Sequence, residues 1–135
     1  MEKSCGVILY TIKNGKRHYL LIQSKDGIVG FPKGHIEENE SEKECAIREC
    51  KEETGIDCSL HAFFRKSITY TLQNGKVKEV VFFVGKYENQ VPCHMDGFEK
   101  FEYLSVKYEQ TLKLLTFDNL KIIFEEAEKF LRMVS

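Results

Sequence analysis

Two largely apolar runs at the start of the chain predict a β-hairpin. Residues 4–12 are apolar and include several β-branched side chains, and residues 17–23 supply a partner strand. Asn14-Gly15 lies between them, a pair typical of the tight turns that join antiparallel strands. We expect Pro32 to stop regular strand pairing after the loop that follows, because proline has no N–H to donate.

A second hairpin is predicted in the middle of the chain. Residues 57–71 and 76–87 have the pattern of two long strands, with Asn74-Gly75 at the turn between them. The run 80–84 is nearly all apolar, which is typical of a strand covered on both faces. A further strand is predicted at 100–106, after an irregular loop.

Two helices complete the pattern. Ser41 followed by Glu44 has the spacing of a capping box, so a helix is predicted to begin there and to end at Gly55. The second is predicted over about 116–134, where apolar residues recur three and four positions apart. These apolar positions are Leu120, Ile123, Phe124, Ala127, Phe130 and Leu131. Strands around two helices predict an α+β sandwich.

Length and composition are those of an ordinary globular domain, so a single domain over 1–135 is expected. Apolar residues make up 42% of the chain and charged residues 30%, and the net charge is −1. The first ten residues lack the pattern of a signal peptide, and no stretch is apolar for the length of a membrane span. The five cysteines form no Cys-x-x-Cys pair, which favours reduced thiols in a cytoplasmic protein over zinc or disulfide sites.

Charge is balanced overall but strongly acidic between residues 34 and 56. Glu49, Glu52 and Glu53 recur at spacings of three and four, so a helix would place all three carboxylates on one face, where they repel one another. A solvated glutamate-rich face is one interpretation. A bound divalent cation is the other, and Mg²⁺ prefers carboxylate oxygens together with substrate phosphates.

The spacing of these residues resembles the Nudix box, the signature of the Nudix hydrolases. Seven identities match at the family's spacing, and Cys50 takes a position that is usually aliphatic. Buried cysteine behaves as a small hydrophobic residue, so this departure fits the pattern. The matching identities are Gly34, Glu40, Arg48, Glu49, Glu52, Glu53 and Gly55, followed by the aliphatic Ile56.

The resemblance implies a fold, a cofactor and a reaction. The implied fold is an α/β/α sandwich, a mixed β-sheet between helices. The implied reaction is hydrolysis of a nucleoside diphosphate linked to another group, by water attack on phosphorus. It would use Mg²⁺, with Mn²⁺ as a substitute, held by Glu49, Glu52, Glu53 and the Gly34 carbonyl. The box leaves open which glutamate acts as base, and it implies that Arg48 orients its neighbours.

Many Nudix enzymes add an acidic residue from the loop before the last strand. Three residues are candidates here: Asp96, Glu99 and Glu102. We favour Glu99 as a further metal ligand, because Glu102 is expected to alternate with its neighbours on the strand.

The stretch LLIQSKDGIVGFPKGHIE is similar to the asymmetric diadenosine tetraphosphate hydrolases, the Nudix branch that releases ATP and AMP. This similarity implies that a histidine, a tyrosine, a lysine and an aromatic residue contact the substrate. The matching positions are His35, Tyr70, Lys78 (or Lys76) and Phe117, and Lys33 belongs to the same polyphosphate-binding stretch; His35 is also grouped with the catalytic residues. Val29 stands where the branch usually has tryptophan.

Other functions remain open at this level. An enzyme that removes pyrophosphate from the 5′ end of RNA is one, although 20 basic against 21 acidic residues argue against an extended nucleic-acid surface. A diphosphoinositol pyrophosphatase is another, and a catalytically silent Nudix domain that senses a ligand is a third. We expect a small nucleotide as partner, no membrane contact, and a monomer or weak homodimer.

Overall fold

The computed structural model describes residues 2–134, which form eight strands and three helices. In chain order the elements are β1 (Glu2–Lys13), β2 (Lys16–Gln23), β3 (Val29–Gly30), β4 (Lys33–His35), α1 (Glu42–Thr54), β5 (Ser59–Leu60), β6 (Lys66–Thr71), β7 (Val77–Lys86), β8 (Glu102–Val106), α2 (Tyr108–Leu114) and α3 (Asp118–Val134). The predicted domain, 1–135, includes one more residue at each end than this range.

β1 organises the sheet. It pairs in parallel with β7 and antiparallel with β2 and β4, so the sheet is mixed. β2 continues to β3 and β8, and β7 continues to β5 and β6. The prediction that 80–84 lies inside the sheet is confirmed, because β7 has partners on both sides.

Helices cover both faces of this sheet, which confirms the α/β/α sandwich. Alternate residues of β1 face opposite sides: Val7 packs in the core under α1, and Ile8 packs in the core under α3. Cys50 is fully buried in the α1 core, so it fills its position as an apolar residue. Within residues 2–134, no helix combines the length and apolarity needed to cross a membrane.

The caps of α1 are as the sequence predicts. The Ser41 hydroxyl accepts from the Glu44 backbone N–H at 3.1 Å, and the Glu44 carboxylate accepts from the Ser41 N–H at 2.8 Å. Gly55 ends the helix with a φ of 73°, a conformation that costs little only for glycine.

The prediction of one long strand over 57–71 is wrong. β5 pairs with the end of β7, and β6 pairs with the same strand from Phe82 backwards. Between the two, residues 61–65 face only residues 83–84, so the extra residues loop out of the sheet. Phe64 is buried by this detour, whereas Phe63 is 92% exposed.

Two further corrections concern short elements. Pairing resumes directly after Pro32, where β4 adds to β1 through Gly6↔Lys33 and Cys5↔Gly34. The helix α2 was not predicted. Its seven residues are too few to establish a helical period in the sequence.

A charge cluster at the start of α1 stabilises its contact with the sheet. Glu42 accepts from Arg65 Nε at 2.8 Å and from Lys3 Nζ at 2.8 Å. These cations, Arg65 first, hold the pKa of Glu42 at about 2, against an ordinary value of 4.5. A carboxylate whose pKa is lowered by folding stabilises the fold above its unfolded pKa.

Glu42→Gln is therefore expected to lower the free energy of unfolding by about 1 kcal/mol at pH 7. The difference from the wild type should shrink as the pH falls from 4.5 towards 2, because the wild-type carboxylate then becomes protonated. Urea denaturation at pH 7, 4 and 2 measures this. Glu88→Gln is the control, since Glu88 is paired only at the surface, with Lys86. An equal difference at every pH would contradict the prediction.

Candidate active site

The last two turns of α1 carry the predicted carboxylates towards β4. Hydrogen bonds from other elements hold this end of the helix in place. Tyr103 on β8 donates its hydroxyl to the Glu53 backbone carbonyl at 2.7 Å. Glu49, Glu52 and Glu53 therefore lie beside the strand that contains Lys33 and Gly34.

Arg48 neutralises one side of this acidic group. Its Nε donates to Glu40 at 2.6 Å, and its Nη1 donates to Glu49 at 2.9 Å and to Glu52 at 3.2 Å. Its Nη2 reaches the His35 carbonyl at 3.0 Å. One guanidinium thus ties the approaching loop, β4 and the helix together. This is the orienting role that the resemblance implies for Arg48.

Glu53 points the other way, towards the start of β4. Its Oε1 accepts from the Lys33 backbone N–H at 3.1 Å. Burial, together with the charges of Glu49 and Glu99, raises the pKa of Glu53 to about 8. Burial also raises the pKa of Glu49, against the lowering effect of Arg48. These carboxylates are held where a proton or a cation is favoured.

Gly34 allows β4 to pass directly over Glu49. A Cβ at this position would overlap the Glu49 carboxyl group. The Gly34 carbonyl accepts from the Cys45 thiol at 3.4 Å. Any larger residue here would therefore push the Glu49 carboxylate out of its present position.

The donor set suits a hard divalent cation. Within residues 2–134 no three Asp, Glu, His or Cys side chains are arranged as a finished metal-binding group, because Glu49 and Glu52 face Arg48 and Glu53 faces Lys33. These residues offer oxygen ligands only, and the raised pKa values of Glu49 and Glu53 indicate negative charge that a bound cation would stabilise. Oxygen ligands of this kind favour Mg²⁺ over softer metals.

A cleft opens beside these carboxylates on the α3 side of the sheet. One part of this cleft, which we name the Tyr70 pocket, has a volume of about 330 Å³. Three predicted residues, Lys33, Tyr70 and Phe117, line it although they belong to distant parts of the chain. The lining consists of Lys33, Ile68, Tyr70, Val80, Phe82, Phe117, Asn119 and Leu120.

The neighbouring Phe101 pocket has a volume of about 360 Å³, and its lining includes Glu53 and Glu99. It shares Lys33 and Phe117 with the Tyr70 pocket, so the two are adjacent. Its other lining residues include Ser24, Asp26, Ile28 and Phe101, and Val29 lies in the same wall. Of the three acidic candidates from this loop region, Glu99 is the one among the residues lining this pocket.

Lys78 and Lys76 differ in position. Lys78 pairs directly with Tyr70 across β6 and β7, so the two side chains share one face of the sheet. The positive charge of Lys78 also contributes to lowering the pKa of Lys33, after desolvation. Lys76 lies in the turn, where its N–H donates to Asn74 at 2.9 Å. Register therefore favours Lys78 as the residue that faces the cleft.

The His35 side chain is exposed on β4, and the backbone carbonyl of His35 accepts from Arg48. Asn119, Phe101, Asp26 and Ser24 were not predicted as site residues. Nothing in the local sequence marks them, since each lies in an unremarkable loop or helix start.

The chain is similar to known proteins over nearly its whole length. Residues 3–125 match the family model of the NUDIX domain. Over 140 residues the chain is 29% identical to the asymmetrical bis(5′-nucleosyl)-tetraphosphatase of Mus musculus, covering 96% of this chain and 95% of the mouse protein. The Ap4A hydrolase of C. elegans in a binary complex has a TM-score of 0.88 and 25% identity, covering 98% of each chain.

A shorter match points to a different kind of relative. Over 49 residues the chain is 47% identical to mRNA decapping complex subunit 2 of Schizosaccharomyces pombe. That match covers 36% of this chain and 7% of the yeast protein.

Proposed function

This chain belongs to the Nudix family and is a hydrolase, and from that premise we propose that it cleaves diadenosine tetraphosphate asymmetrically into ATP and AMP. The proposal depends on one arrangement. A pocket whose lining includes Tyr70 and Phe117 lies beside a second pocket whose lining includes Glu53 and Glu99, and Lys33 lines both. A nucleotide whose base lies in the first pocket would extend its phosphates towards the carboxylates.

The printed functions of the full-length relatives support this choice. The mouse protein is named for tetraphosphatase activity, and the worm protein for hydrolysis of Ap4A. Both likenesses extend over nearly the whole chain, including the residues that form the cleft. The decapping relative matches over only 36% of this chain, so it bears less on the substrate.

Mg²⁺ is the cofactor we propose, with Mn²⁺ as a substitute. Glu49, Glu52, Glu53 and Glu99 and the Gly34 carbonyl would hold it. When bound, such a cation neutralises phosphate charge and lowers the pKa of a coordinated water. We also propose a cytoplasmic location, consistent with five free thiols, and a monomer or weak homodimer.

The chain's own residues divide the remaining work. Tyr70 and Phe117 would stack on an adenine, because aromatic faces hold bases by stacking. Lys33 and Lys78 would offset the charge of the polyphosphate. Glu53 would take the proton of the attacking water, because its carboxylate lines the Phe101 pocket, beside which the scissile phosphate would lie. Arg48 would keep Glu49 and Glu52 in position.

The reaction itself consumes one water. The water oxygen forms a bond to a phosphorus at one end of the tetraphosphate, and the bridging P–O bond to the remaining three phosphates breaks. The products are AMP and ATP, and the proton of the water goes to the base. Phosphoryl transfer of this kind depends mainly on positioning and on charge neutralisation.

Incubation of the purified chain with diadenosine tetraphosphate and Mg²⁺ tests the function. Chromatography should resolve equal amounts of ATP and AMP. Formation of two ADP would contradict asymmetric cleavage. Turnover of triphosphorylated or capped RNA in preference to the dinucleotide would favour the RNA reaction, and turnover of a diphosphoinositol polyphosphate would favour that pyrophosphatase. Binding without turnover of any of these substrates would favour a ligand sensor.

Lys78→Ala is expected to raise KM for diadenosine tetraphosphate about tenfold, with a smaller change in kcat. The lost ammonium faces the cleft beside Tyr70, and a charge-assisted contact to phosphate typically contributes a factor of this size. Lys76→Ala is the matched control, because Lys76 lies in the hairpin turn two residues away. Steady-state kinetics at low and high salt would measure both. Equal effects of the two variants would exclude the assignment of Lys78.

A further inference from the structure

The Phe101 pocket is large enough for a ligand of its own, yet the resemblance assigns nothing to most of its walls. It shares Phe117 with the Tyr70 pocket, and its lining includes residues of the loop 24–28. Resting on the function proposed above, we propose that this pocket binds the second nucleoside of diadenosine tetraphosphate, the one released as AMP. Phe101 and Asp26 are its recognition residues.

The wall formed by the loop 24–28 favours a nucleoside over a phosphate. Three acidic residues line the pocket: Asp26, Glu53 and Glu99. The cation proposed above would offset Glu53 and Glu99, whereas Asp26 is not one of its proposed ligands. Lys33 is the single cationic residue among the lining residues, and it also lines the Tyr70 pocket. A phosphate beside Asp26 would therefore meet an uncompensated carboxylate, and an uncharged base and ribose would not.

The remaining walls have the chemistry that a nucleoside needs. Phe101 and Ile28 offer aromatic and aliphatic faces, and Phe117 is shared with the neighbouring pocket. Stacking on an aromatic face holds any base regardless of its hydrogen-bonding pattern. Asp26 supplies a carboxylate, the group that accepts hydrogen bonds from ribose hydroxyls in many nucleotide sites.

The loop that carries Asp26 is held by its own hydrogen bonds. The Ser24 N–H donates to the Ile28 carbonyl at 2.9 Å, and the Gly27 N–H donates to the Ser24 carbonyl at 2.9 Å. The Ser24 hydroxyl accepts from the Ile28 N–H at 3.2 Å. Asp26 therefore lies in a turn whose backbone is held by hydrogen bonds, and the turn borders the pocket.

This arrangement also accounts for an off-centre cut. Glu53 and Glu99 line the Phe101 pocket and are not among the residues lining the Tyr70 pocket. With one nucleoside in each pocket, the carboxylates lie next to the phosphate of the second nucleoside. The bond nearest to that nucleoside is then the one that breaks, and three phosphates remain on the other side.

A comparison of two ligands tests the proposal. Diadenosine tetraphosphate carries two nucleosides, and adenosine 5′-tetraphosphate carries one. The first is measured by kcat/KM and the second by its inhibition constant in competition, so the result does not depend on whether it is turned over. Phe101→Ala should lower kcat/KM for the dinucleotide about tenfold and change the inhibition constant less than about twofold. Asp26→Asn should show the same selectivity with a smaller loss.

Two controls make the result specific. Phe98→Ala removes an exposed aromatic residue from the same loop without touching the pocket, and neither constant should change. Tyr70→Ala should weaken both ligands, because each places a nucleoside in the Tyr70 pocket. Thermal unfolding of every variant shows whether it is folded, and Phe101→Tyr, which keeps an aromatic face, should restore binding if Phe101→Ala is unstable.

Three outcomes would overturn the proposal. These are equal losses on both ligands, no loss on either, or an effect of Phe98→Ala as large as that of Phe101→Ala. Failure of the proposed function is distinguished beforehand, since the wild type would then release no ATP and AMP from the dinucleotide. The selective loss with Phe101→Ala and Asp26→Asn supports a nucleoside site.

Discussion

Glu53→Gln is expected to lower kcat/KM for diadenosine tetraphosphate about a thousandfold. The change removes a carboxylate that accepts from the Lys33 backbone N–H and lines the Phe101 pocket, and it keeps the size of the side chain. Glutamine can still accept this hydrogen bond, so the backbone of β4 should stay in place. What is lost is the capacity to take a proton and to attract a cation.

Stability gives this prediction a second readout. Folding raises the pKa of Glu53 from 4.5 to about 8, so the folded state binds a proton that the unfolded state has released in this pH range. Such a group destabilises the fold progressively as the pH rises from 4.5 to 8. Without metal at pH 7.5, Glu53→Gln should therefore unfold at the same temperature as the wild type or at a higher one.

Glu44→Gln is the matched control on the same helix. It also removes one carboxylate charge, but glutamine can replace glutamate in the capping box. Its activity should stay within about twofold of the wild type, as expected for a surface change. Retained activity in Glu53→Gln would exclude Glu53 as base and as metal ligand together.

Gly34→Ala is expected to lower the activity about a hundredfold and to destabilise the fold by about 1 kcal/mol. The new methyl group would overlap the Glu49 carboxyl group, so that group must move. It is the end of a flexible side chain, so the move costs little stability. The move would break the contact of Glu49 with Arg48 and displace a proposed metal ligand.

A double-mutant cycle separates the steric effect from the chemical one. Glu49→Ala removes the group that the methyl would meet, so adding it to Gly34→Ala should recover part of the lost stability. Activity should not recover, because a proposed ligand is now missing. Chemical denaturation and initial rates of all four proteins provide the test. If the two changes add independently in stability, the close contact between Gly34 and Glu49 is not the cause.

Much of the reactive region was predictable because its determinants are local. Glu49, Glu52 and Glu53 fall on one helical face whatever surrounds the helix, since 3.6 residues per turn fix that relation. The caps at Ser41 and Gly55 depend on neighbouring backbone atoms alone, and both are as predicted. The hairpin at the start of the chain and the buried strand β7 follow from local sequence patterns in the same way.

Other features depend on pairing between distant segments, and the sequence left them open or gave the wrong answer. The break between β5 and β6 arises because both strands pair with β7 while the chain between them is too long for the register. The preference for Lys78 over Lys76 comes from where β7 begins, because Lys78 pairs with Tyr70 whereas Lys76 lies in the turn. Turn signals in the sequence do not decide which residue of one strand pairs with which residue of the other.

By itself, then, the sequence determined the family, the acidic helix and the kind of bond for which such a helix is suited. Only the tertiary structure decided how that helix is used. In that structure Arg48 contacts Glu49 and Glu52, and Glu53 accepts from the Lys33 backbone N–H. The Tyr70 pocket lies beside the Phe101 pocket. The physical reason is that helical spacing and capping act within a few residues, whereas a cleft consists of side chains that meet only after the sheet has closed.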